Sequence, residues 1–71
     1  MNVYDKLATK IRKLRQKKGW SQEELADRAD LHRTYISHIE CGKRKISVET
    51  LCQIAKGLGI SPSELMDGVS L

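Results

Sequence analysis

Three times in this chain an apolar residue and a serine stand just ahead of a leucine: Trp20-Ser21 before Leu25, Ile46-Ser47 before Leu51, and Ile60-Ser61 before Leu65. A serine so placed accepts the backbone N–H three residues on. The apolar residue before it closes a staple on the leucine, so each triplet reads as the start of a helix. Glu24 and Glu64 complete capping boxes at the first and third, whereas Thr50 stands where the second would want Glu or Gln. Pro62 adds a first-turn proline, whose missing N–H costs nothing there.

An earlier helix carries Leu7, Ile11 and Leu14 at i, i+4 and i+7, and Gly19 is placed to stop it. Gly42, Gly57, Gly59 and Gly68 mark the other ends. The pattern predicts an all-α chain with helices near 3–18, 21–29, 32–41, 47–57 and 62–66, and no stretch alternates with period two over strand length. The expected core is Leu7, Ile11, Leu14, Leu25, Ala29, Leu31, Ile36, Ile39, Val48, Leu51, Ile54, Ala55, Leu58, Ile60 and Leu65. Loops this short predict a single domain over residues 1–71.

Seventy-one residues, 39% hydrophobic and 31% charged, suit a compact domain rather than a disordered tail, close to the size below which a core needs staples. No apolar run approaches the roughly 20 residues of a membrane span, and no signal-peptide pattern opens the chain. Cys41 and Cys52 lack metal-ligand spacing, which favours a reduced, cytoplasmic protein over a Cys41–Cys52 disulfide. No nucleophile–base set, metal-ligand cluster or phosphate-cradling glycine loop is legible. The chain therefore reads as a non-enzyme without metal, cofactor or small-molecule substrate.

The net charge of +4 is unevenly spread: +6 over residues 1–20, −3 over 21–32, +3 over 33–45 and −2 over 46–71. Two basic segments flanking an acidic helix predict an anionic partner touched by part of the surface only. Residues 21–42 then read as two short helices joined by a tight turn. On a helical wheel of 32–41, His32, Ile36 and Ile39 share one side, while Thr34, Ser37, His38 and Cys41 lie opposite, with Arg33 at the flank. The outer face is short of Glu and Lys, unlike a merely solvated helix. Its small hydrogen-bonding side chains let a helix lie close to base edges in a major groove, where one Arg can grip a guanine edge bidentately.

Ser21-Gln22-x-x-Leu25-Ala26, Ile36-Ser37-x-Ile39-Glu40-x-Gly42, Leu51-x-x-Ile54-Ala55 and Leu58-Gly59-Ile60 together resemble the lambda-repressor-like (Cro/CI, XRE-type) helix-turn-helix regulators, over roughly residues 7–67. Within that family, Arg33-Thr34-Tyr35-Ile36-Ser37 is similar to the recognition helix of restriction–modification controller proteins. The resemblance implies a five-helix domain whose second and third helices form the helix-turn-helix. It further implies a homodimer that binds paired operator half-sites in double-stranded DNA, and that activates and later represses its own operon.

Arg33 is the first candidate for base readout, with Thr34 and Ser37 beside it and His38 within reach of a base or phosphate. Lys43, Arg44 and Lys45 suit phosphate clamping, and Gln22 sits where a helix N-terminus favours a phosphate. The resemblance gives Tyr35 a contact to the sugar–phosphate backbone, against the competing reading of a packing tyrosine. It makes Arg15 and Glu40 an ion pair that aims the recognition helix, and it places RNA polymerase against Glu23 and Asp27. Leu58, Ile60, Leu65, Met66 and Val69 exceed what one thin domain can cover and predict a dimer interface. The rival readings are a phage-type repressor, or an antitoxin-like module that uses the same fold to bind a protein.

Overall fold

In a computed structural model, which describes residues 2–42 and 45–69, five helices follow in order: α1 Val3–Lys17, α2 Gln22–Ala29, α3 Arg33–Glu40, α4 Val48–Leu58 and α5 Pro62–Met66. Each begins with a capping side chain. The Ser21, Ser47 and Ser61 hydroxyls accept the N–H groups of Glu24, Thr50 and Glu64 at 3.0, 3.1 and 3.0 Å. At Ser61 the box is complete, because the Ser61 N–H donates back to Glu64 Oε1 at 3.0 Å. At Ser21 it is half made: the Glu24 carboxylate takes Arg28 as its partner, 3.2 Å away.

Two caps depart from the expectation. Asn2 forms a full capping box with Asp5 at the head of α1. His32, expected on the apolar side of the third helix, is instead exposed and lies just outside it, with extended backbone (φ −78°, ψ 142°) and its ring capping α3.

The five helices close around one core: Leu7, Ile11, Leu25, Ala26, Ala29, Ile36, Ile39, Ile54, Ala55, Leu58 and Leu65. Small residues do as much as large ones where α2 crosses α4. A Cβ built on Gly57 would stand 2.9 Å from the Ala29 nitrogen, so Gly57 lies inside α4 to admit the neighbouring backbone rather than to end the helix. The helix ends two residues later, at Gly59, whose φ of +77° suits a residue without Cβ. Asp30 takes the same left-handed conformation (φ 57°) at the end of α2, which Asp tolerates better than most residues.

Val48, expected in the core, is 76% exposed. It occupies the first position of α4, off the stripe of Thr50, Ile54, Ala55 and Leu58 that the helix buries. Leu14, Leu31, Leu51 and Ile60 are half-buried against the core rather than within it. Trp20 packs on the core too, with the Arg28 guanidinium 4.2 Å and the Lys18 ammonium 5.1 Å from its ring centroid, which fixes the turn between α1 and α2.

Candidate nucleic-acid interface

The geometry of α3 follows from what it buries. Ile36 and Ile39 are 0% and 1% exposed, which turns Thr34, His38 and Cys41 outward, with Ser37 half-buried beside them and Arg33 exposed at the first position. Side chains sequence reasoning assigned to base readout therefore share one open face.

That helix is held by a buried ionic cluster. Arg15 Nε donates to Glu40 Oε2 at 2.7 Å and Arg15 Nη2 to Glu40 Oε1 at 2.9 Å, a two-pronged grip that joins α1 to the end of α3. A third donor, Gln22 Nε2, reaches Glu40 Oε1 at 3.1 Å from the first position of α2. Arg15 Nη1 also donates to the Trp20 carbonyl at 2.8 Å. The Glu40 side chain is only 2% exposed, and among the described residues no buried side-chain nitrogen or oxygen lacks a partner. One carboxylate thus sets the relative orientation of three helices. Arg15, Ser21, Gln22, Glu23 and Arg33 line a single open depression, so the α2 and α3 N-termini and their positive dipole ends lie side by side.

Tyr35 is half-buried, its hydroxyl 3.4 Å from Thr50 Oγ1, and Ser47 Oγ donates to the same Thr50 oxygen at 3.0 Å. Sequence reasoning missed Thr50 as a site residue. Its signal was there, since the capping grammar after Ser47 puts Thr50 at the third helical position, where its hydroxyl can meet the recognition helix. Lys45 is exposed after α3, while Lys43 and Arg44 lie outside the described residues.

Glu23 and Asp27 are exposed on α2 and share a shallow depression with Ser21 and Glu24. The dimer residues divide. Leu58 and Leu65 are 1% and 0% exposed, buried in the chain's own core, which corrects their assignment to an interface. Ile60, Met66 and Val69 are half-buried and keep a solvent-facing side. Among the described residues no three His, Cys, Asp or Glu side chains are grouped to hold a metal, both cysteines are free and exposed, and no helix is long and apolar enough to cross a membrane.

The sequence pattern of the helix-turn-helix family matches residues 11–65, which takes in α2, α3 and α4 whole, the latter part of α1 and all but the last residue of α5. The chain belongs to that family. Control protein C.BamHI of Bacillus amyloliquefaciens is 49% identical over 59 residues, covering 82% of this chain and 73% of its own. Control protein C.MunI of a Mycoplasma species is 46% identical over 65 residues, covering 90% and 88%. The restriction–modification controller protein C.Esp1396I, solved as a tetramer with its natural 35-base-pair operator, superposes with a TM-score of 0.90 at 36% identity, over 97% of this chain and 91% of that one. This helix-turn-helix chain is therefore similar, over almost all its length, to controller proteins.

Proposed function

We propose that this protein is a sequence-specific, DNA-binding transcriptional regulator that controls its own restriction–modification operon as a homodimer. The observation that carries the reading is the recognition helix. Its open face presents Arg33, Thr34, Ser37 and His38 together, and its angle is fixed from behind by Glu40, Arg15 and Gln22. Similarity to the control proteins C.BamHI and C.MunI supports the operon, and the operator-bound controller C.Esp1396I supports the DNA partner.

In this reading α3 enters the major groove, and Arg33 grips a guanine edge while Thr34 and Ser37 approach neighbouring bases or phosphates. Gln22 has one amide face on Glu40 and the other free for a phosphate at the head of α2. Tyr35 contributes to the backbone contact from the flank, braced by Thr50. Lys43, Arg44 and Lys45 clamp phosphates, and His38 lies along the same groove. Two protomers meet through Ile60, Met66 and Val69 and set their recognition helices about 34 Å apart, one DNA turn, which dictates a near-palindromic operator. Glu23 and Asp27, exposed together on α2, offer RNA polymerase an acidic surface. The site of action is the bacterial cytoplasm.

A salt-titrated gel shift on the DNA immediately upstream of the protein's own gene tests this. Tight, cooperative binding that survives scrambled competitor supports it. Weak binding, equal on both DNAs and present only at low salt, contradicts it.

A further inference from the structure

The His32 side chain serves α3 in a way the DNA-reading account leaves unused. Its Nδ1 accepts the Thr34 N–H at 3.1 Å, and its carbonyl oxygen accepts the N–H groups of Tyr35 and Ile36 at 3.0 and 3.2 Å. An imidazole nitrogen that accepts carries no proton, so the capping bond fixes the tautomer: the neutral ring bears its proton on Nε2. Among the described residues Nε2 has no partner in the protein, and the residue is exposed. A donor of fixed identity thus stands immediately before Arg33, at the end of the helix whose N-terminal residues approach the bases in helix-turn-helix proteins.

We infer that His32 is a further DNA-contacting residue, whose capped ring directs Nε2–H to an acceptor atom on the operator. The inference rests on the DNA-reading function proposed above. One ring then does two things: it ends the recognition helix through one nitrogen and binds DNA through the other. The cap holds the ring in place before DNA arrives, so little side-chain freedom is lost when the contact forms. The acceptor is a phosphate oxygen or a base-edge atom, and both need the same donor.

Two variants separate capping from contact. His32→Ser retains a good N-cap but has no donor at the position of Nε2. His32→Asn also caps, through Oδ1, but its amide N–H stands where the ring has Cδ2, one bond short of Nε2. Thermal unfolding followed by helical circular dichroism should show both variants at least as stable as wild type. On the upstream DNA, His32→Ser should lose about tenfold in affinity, the weight of one hydrogen bond to a strong acceptor. His32→Asn, capped but without a donor at the position of Nε2, should fall as His32→Ser does. A loss shared equally by operator and scrambled DNA assigns the acceptor to a phosphate, and a loss confined to the operator assigns it to a base edge. If either capping variant binds as wild type does, the contact does not exist. Wild type is titrated first: its failure on the same DNA removes the DNA-reading function itself, whereas its success with an indifferent His32 removes only this contact.

Discussion

Arg15 and Glu40, twenty-five residues apart in the sequence, meet in a two-pronged ion pair whose carboxylate is almost wholly buried. Taking either partner alone leaves the other charged and without its counter-ion in a largely buried site. Arg15→Ala should therefore destabilise the fold by about 3–5 kcal/mol, far more than an exposed ion pair is worth. Replacing both with apolar residues of similar size should recover most of that loss while loosening the aim of α3. Urea unfolding reads the first effect and operator affinity the second. A single Arg15→Ala loss below about 1 kcal/mol would make the pair a surface ornament.

Gly57 sits where α2 and α4 backbones touch, and a Cβ there would stand 2.9 Å from the Ala29 nitrogen. On helix propensity alone, Gly57→Ala should stabilise α4 by about 1 kcal/mol. The contact should win instead, forcing the helices apart at a net cost of about 1–3 kcal/mol in urea unfolding. An unchanged or raised stability would show that the crossing can open at no cost.

Much of this fold was legible in advance because its helix starts are local chemistry. Ser21, Ser47 and Ser61 each cap the helix their neighbours announce, and the glycine after α1 lies within two residues of its end. What differs has two sources: contacts distant in sequence at Gly57, Leu58 and Leu65, and helix starts shifted by a residue at His32 and Val48. Gly57 reads as a terminator unless Ala29 is known to lie against it, and His32 reads as apolar-facing only if the third helix begins at residue 32 rather than at Arg33. Leu58 and Leu65 were an excess to be covered by a partner until the chain's own packing covered them. The reading face of α3 was the reverse case, since burial of Ile36 and Ile39 sufficed to place Arg33, Thr34 and His38 outside.

Ile60, Met66 and Val69 keep apolar surface open while Leu58 and Leu65 do not, so the proposed dimer should respond to those three alone. Met66→Lys, whose stem can keep Met66's packing on the core while its ammonium stands on the open side, should shift sedimentation toward the monomer with the helical signal intact. Wild type sedimenting as a monomer at every concentration would remove the dimer and with it the paired half-sites.

Glu23 and Asp27 are exposed carboxylates on the side of α2 away from its core contacts. Replacing both with alanine should leave operator affinity unchanged or slightly raised, since two charges of the same sign as DNA are gone. Transcription from the activated promoter should fall sharply. Full activation in the double variant would take RNA polymerase off this surface.

Arg33 stands at the first position of the recognition helix, exposed, beside Gln22 in the depression where the two helix N-termini meet. The most direct test of sequence reading is the ratio of operator to scrambled-DNA affinity for wild type and Arg33→Ala at matched salt. A bidentate grip on guanine predicts that the variant loses about 1–3 kcal/mol of that preference, with its unfolding midpoint unchanged. Equal weakening on both DNAs, with the ratio preserved, would make Arg33 a phosphate contact and contradict the account of how this protein finds its site.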